Sequence, residues 1–172
     1  MELIIKSPLK PLLFKQSIHV QGEVSGYLAA KNPLKIAIGR HSYKSTYRNA
    51  TISLEEQKTQ NKKRNWIIRV SNETAGVMVM SSGTSDTLKH NLTSYHVTFK
   101  DKNYHVNKPF MQLGAEESFL YDEQGVLLAQ ISSSYSKKPR FKKIIKIHNG
   151  KEFIEEEIAF FIVTLNTTLF VS

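Results

Sequence analysis

The stretch Ile158-Ala159-Phe160-Phe161-Ile162-Val163-Thr164-Leu165 constrains this chain more than any other part of it. Three consecutive acids, Glu155, Glu156 and Glu157, precede it. Wound as a helix, Ile154, Ile158, Phe161, Ile162 and Leu165 share one face of 3.6-residue period, while Phe160 and Val163 lie off it. Such a helix is apolar on nearly every side after its first turn, so it needs burial all round. Acids in a first turn suit the positive end of the helix dipole. The spacing predicts a helix over about 152–165, enclosed by a sheet. Two strands are the alternative, because Phe, Ile, Val and Thr favour extended backbone. The apolar run is well short of the roughly 20 residues of a bilayer span, so no transmembrane segment is expected.

Most of the remaining text reads as short strands. Tyr95, Val97 and Phe99 alternate onto one face, Asp101-Lys102-Asn103 makes a turn, and Tyr104-His105-Val106 returns. A second hairpin runs from Ser118-Phe119-Leu120-Tyr121 through Asp122-Glu123-Gln124-Gly125 into Val126–Ile131. Phe141–His148 is a further strand, ended by the turn signal Asn149-Gly150. Trp66–Val70 and Gly76–Met80 are strands too, and Gly22–Ala29 and Tyr43–Ile52 give weaker patterns. Leu54 to Arg64 reads as a polar insertion, and Ser81 to Asp86 as a polar loop. No Pro/Gly/Ser-rich linker divides the 172 residues, so a single domain is expected. The fold class that joins these observations is mainly β. An antiparallel closed or nearly closed barrel removes sheet edges, and a C-terminal hydrophobic helix packed inside or against it supplies the filling.

Charge narrows the partners. The chain carries 24 Lys and Arg against 15 Asp and Glu, a net charge of +9. Residues 1–100 hold the whole excess, with 15 bases and 6 acids. The densest basic run is Lys137, Lys138, Arg140, Lys142, Lys143 and Lys146, which contains no acid. A run of this kind follows the phosphates of anionic lipid or of nucleic acid, or it protects an edge strand from mispairing. As a strand, Phe141, Lys143, Ile145 and Ile147 fall on one face and Lys142, Ile144 and Lys146 on the other.

Reaction chemistry finds little purchase. There is no cysteine, which removes thiolate nucleophiles, disulfides and Cys-ligated metals. No His-Glu-x-x-His, no Gly-x-Ser-x-Gly and no phosphate-cradling Gly-rich motif occurs. His96 and His105 face each other across the first hairpin; a metal or base pair is the lesser reading there, and a solvent-facing sheet position the better one. No catalytic residue, metal or cofactor is expected. The start, Met1-Glu2-Leu3-Ile4-Ile5-Lys6-Ser7-Pro8, makes no signal peptide, so the Asn-x-Ser/Thr matches at Asn49, Asn72, Asn91 and Asn166 are read as chance. The expected address is the cytoplasm, with peripheral attachment at a membrane.

Two segments carry a family likeness. Phe119-Leu120-Tyr121-Asp122-Glu123-Gln124-Gly125-Val126-Leu127-Leu128-Ala129-Gln130-Ile131 is a strand, an acidic turn ending in Gly, and a strand. Trp66-Ile67-Ile68-Arg69-Val70 with Asn72-Glu73-Thr74-Ala75-Gly76-Val77-Met78-Val79 looks like another copy. With the closing apolar segment, this text resembles the tubby C-terminal-like superfamily. Phospholipid scramblases, the plant LURP-one-related proteins and short bacterial members belong to that group. The resemblance implies a barrel threaded by its last helix. It also implies a non-enzymatic binding or scaffold module, with anionic phospholipid headgroups or a protein as partner. Nucleic-acid binding through residues 137–146 is the alternative, and a small hydrolytic enzyme the second alternative.

Overall fold

The computed structural model describes residues 1–6, 15–31, 41–57, 64–109, 116–134 and 142–170. Twelve strands run in chain order: β1 Glu2–Lys6, β2 Lys15–Val20, β3 Glu23–Ala30, β4 Tyr43–Tyr47, β5 Ala50–Glu56 and β6 Asn65–Val70. They continue with β7 Glu73–Met80, β8 Leu92–Phe99, β9 Lys102–Pro109, β10 Glu116–Asp122, β11 Leu127–Ser134 and β12 Lys142–Ile147. A short helix, α1 (Thr84–His90), lies between β7 and β8, and the helix α2 (Glu155–Phe170) closes the described chain. Each strand pairs antiparallel with its neighbours in sequence, and β1 pairs with β12, so the sheet is a closed barrel. The expected barrel with a C-terminal helix is the observed fold.

Strand alternation sorts the barrel wall. Leu3 and Ile5, Ile52 and Leu54, and Ile145 and Ile147 point inward and are buried. Every residue from Ile158 to Leu169 is buried as well, polar ones included. The helix lies against β4 and β5 on one side and reaches β9, β10 and β11 on the other, so it threads the barrel. Phe160 stacks on Phe99 with ring centroids 4.2 Å apart, and Tyr104 stands 5.3 Å from the same ring. A girth that would be a liability in water is thus what the interior requires.

The helix differs from expectation at both ends. It begins at Glu155, so Ile154 precedes it and is 59% exposed instead of joining the core face. The Ile154 N–H donates to Glu157 Oε2 (3.3 Å), a capping contact that fixes the start. At the far end the helix continues through Asn166, Thr167 and Thr168. Thr167 Oγ1 donates to Val163 O at 2.7 Å and Thr168 Oγ1 to Leu165 O at 3.0 Å, so hydroxyls that would disfavour burial are satisfied within the helix.

Other local expectations are corrected by turn chemistry. Tyr43–Ile52 is not one strand but two, folded at Arg48-Asn49, with Arg48 at φ 49°. Part of the polar insertion, Leu54–Glu56, completes β5, and Leu54 is in the core; residues 58–63 lie outside the described set. The polar text of 84–90 is helical as α1. Two hairpins repeat one pattern fifty residues apart: Ile18-His19-Val20-Gln21-Gly22-Glu23 with Gly26, and Ile68-Arg69-Val70-Ser71-Asn72-Glu73 with Gly76. Both bulge after the Ile. A Cβ on Gly26 would lie 2.1 Å from Thr46 O, and one on Gly76 would lie 2.0 Å from Thr98 O, so only glycine lets the adjacent strand approach.

Candidate functional site

The two ends of the barrel are built differently. At one end the connections are tight: Gln21-Gly22, Arg48-Asn49, Ser71-Asn72, Lys100-Asp101, the turn 123–126 and Asn149 leading to the helix. Positive φ at both Lys100 and Asp101, and at both Ser71 and Asn72, marks the two-residue turns that match strand twist. At the other end the strands are joined by 7–14, 31–42, 57–64, 81–91, 110–115 and 135–141. Among the described residues of those stretches, Lys31 pairs with Glu55 and Arg64 with Glu56 (2.8 Å), both acids standing at the end of β5.

Described side chains at that second end form a rim. Lys142 opens β12, Lys6 ends β1, Lys15 opens β2 and Lys44 is the second residue of β4. All four are exposed on the outer face. Lys6 and Lys142 are direct cross-strand partners, and Lys15 and Lys44 both pair with Ala29, one from each side. Lys15 Nζ sits 3.8 Å above the ring of Tyr27, itself 43% exposed. Among the described residues none of these four ammonium groups meets a carboxylate. Like charges set directly opposite destabilise a sheet, so this rim works against the fold that carries it.

The turn end is the reverse. Arg48 pairs with Glu155 (3.4 Å), Lys100 with Glu156 (2.6 Å) and Lys102 with Glu157 (2.9 Å), so the first helical turn is clamped to two hairpin tips. A groove of about 290 Å³ there is lined by Asp101, Asp122, Glu123, Glu157, Tyr104 and Phe153, among others. Two of its carboxylates are already used: Glu157 holds Lys102, and Asp122 Oδ1 accepts from the N–H groups of Gln124 (3.0 Å) and Val126 (2.8 Å).

The basic run singled out from sequence is split by the strand. Lys137, Lys138 and Arg140 lie outside the described residues. Lys142 belongs to the rim, and Lys146 is exposed but sits toward the turn end, opposite Glu2. Lys143 does not join an external anion site, because strand parity turns it into the barrel. There it donates to Asn166 Oδ1 (2.6 Å) and Gln16 Oε1 (3.2 Å). Burial pushes its ammonium down to about 7. Lys108 is also buried, donates to Leu169 O at 2.8 Å, and is lowered by burial too. The two lysines meet the negative end of the helix dipole and satisfy carbonyl and amide oxygens there.

Of the expected core-helix residues, Ile158, Phe161, Ile162 and Leu165 are fully inside, and Ile154 is not. Lys6, Lys15 and Lys44 escape sequence reading because they belong to no run. Each is a lone base at a strand end, and only the register brings them together. Among the described residues no three His, Asp or Glu side chains converge, and no helix is long and apolar enough to cross a membrane. No known family model, curated protein or solved structure matches the chain. What defines it is therefore its architecture, a twelve-stranded antiparallel barrel filled by its own last helix.

Proposed function

We propose that this protein is a non-enzymatic binding module of the tubby-like type, and that it presents its lysine rim to an anionic phospholipid surface from the cytoplasmic side. The observation that carries the reading is the rim: Lys6, Lys15, Lys44 and Lys142, exposed at one end of β1, β2, β4 and β12 and meeting no carboxylate among the described residues. Cations left without partners on neighbouring strands are costly unless a polyanion meets them. The helix-threaded barrel supports the tubby-like resemblance, and that resemblance favours lipid over other anions. Each rim lysine is worth roughly 1 kcal/mol near an anionic leaflet, so attachment is reversible and salt-sensitive.

Co-sedimentation with phosphatidylcholine vesicles, with and without phosphatidylserine, tests this at matched ionic strength. Binding should require the anionic lipid, weaken steeply with added salt, and fall in a Lys6→Glu, Lys142→Glu double variant. Binding unchanged by salt or by that variant refutes the rim. Tighter binding to random duplex DNA at every salt concentration favours the nucleic-acid alternative instead.

A further inference from the structure

The outer face of the β8–β9 hairpin carries a pair of imidazoles that the lipid-binding reading does not use. Its two-residue turn, Lys100-Asp101, makes Phe99 and Lys102 the hydrogen-bonded pair next to the turn. Stepping along the ladder, Thr98 and Asn103, then His96 and His105, fall at non-hydrogen-bonded positions, where facing side chains come closest. The His96 and His105 ring centroids are 4.7 Å apart. The polar rungs on either side are closed: Thr98 Oγ1 donates to Asn103 Oδ1 at 3.1 Å, and Ser94 Oγ donates to Asn107 Oδ1 at 3.0 Å. Neither imidazole has a hydrogen-bond partner among the described residues, and the pair faces solvent. Along the same row stand Val79 and Tyr121, which carry no charge to compete.

We propose that His96 and His105 chelate a borderline divalent transition metal of the Cu²⁺, Ni²⁺ or Zn²⁺ kind. Imidazole nitrogen is a preferred donor for these ions, and affinity in this set is highest for Cu²⁺. Two nitrogens each about 2.0–2.1 Å from one ion lie roughly 3 Å apart, a span two adjacent rings reach by side-chain rotation alone. Among the described residues no third His, Asp or Glu joins them. Water completes the coordination, which leaves positions open to a second molecule.

The test is titration of Cu²⁺ into the isotopically labelled full chain, followed by NMR, with calorimetry of Ni²⁺ and Zn²⁺ alongside. Substoichiometric Cu²⁺ should broaden the signals of His96, His105 and their neighbours Thr98 and Tyr121 first. Affinity should fall about tenfold or more in His96→Ala and equally in His105→Ala, because the second ring acts at the high effective concentration of a shared scaffold. The double variant should be no weaker than about the level of a single surface histidine. Broadening centred on His19, His41, His90 or His148, no broadening at all, or single variants that bind as tightly as the wild type would each overturn the assignment. The wild-type NMR result stands by itself should a variant fold poorly.

Discussion

The turn end and the rim end of the barrel differ in how many of their described bases find an acid. At the turn end three bases reach the acids of the first helical turn: Arg48 with Glu155, Lys100 with Glu156, Lys102 with Glu157. At the rim, Lys6 and Lys142 face each other across the ladder with no acid between them. The turn end uses its bases to hold the helix start; the rim end pairs Arg64 with Glu56 (2.8 Å) and Lys31 with Glu55, and leaves Lys6, Lys15, Lys44 and Lys142 without a carboxylate among the described residues. The difference teaches that lysines and arginines on one barrel are not equivalent: those beside the helix start close the structure, while the four rim lysines stay exposed and meet no carboxylate among the described residues.

The sharpest way to break that comparison is to remove the filling both ends share. Phe161→Asp places an unpaired charge among residues that are wholly buried and should cost on the order of 3–5 kcal/mol. Ile154→Asp, just before the helix start and exposed, should change stability by only about 0.5 kcal/mol. Urea denaturation of both variants checks this, and equal midpoints would remove the enclosed helix from the account.

A second probe concerns the inner side of the rim end. The folded state lowers the Lys143 ammonium from its ordinary 10.5 to about 7. Its stabilising contribution is therefore complete above about 10.5 and is lost as pH falls toward 7, where the buried group takes up its proton. The wild type should gain stability between those limits, on the order of a few kcal/mol. Lys143→Met should flatten that slope, as read from denaturation midpoints across the pH range. A slope unchanged by the substitution would mean that Lys143 is solvated.

The smallest effects separate the two ends most cleanly. Replacing Glu155, Glu156 and Glu157 together by Gln should destabilise by about 1–2 kcal/mol, through three partly exposed pairs and the helix dipole. Lys6→Gln should be neutral or stabilise by a few tenths of a kcal/mol, since it removes a like-charge pair. Thermal melts at low salt resolve both signs. A rim lysine whose loss destabilises as much as the glutamates would erase the distinction.

Most of the architecture was legible because its determinants are local. The β8–β9 and β10–β11 hairpins follow from alternation and turn residues, and α2 from its acids and its apolar girth. Its exact start was not, because Ile154 fits the helical face as well as the capping position does, and only the Glu157 contact decides. The hairpin at Arg48 was hidden because a non-glycine residue takes the positive φ. Lys143 was placed on the correct side of its strand, yet its charge suggested the surface. What pulls it inside is Asn166, twenty-three residues away in sequence. The rim was the least legible part, being assembled from strands at both ends of the chain by register alone.

The pairing of β1 with β12 also sets a schedule for synthesis. The wall closes only when Glu2 finds Lys146, and the interior is filled only by the helix that follows. While a ribosome is still making the first hundred and more residues, the inward faces of β1 to β11 have neither their last neighbour nor their plug. Those apolar faces cannot all be covered before β12 and α2 have been made. A chain held in that open state exposes apolar surface and unpaired strand edges, the condition that favours aggregation.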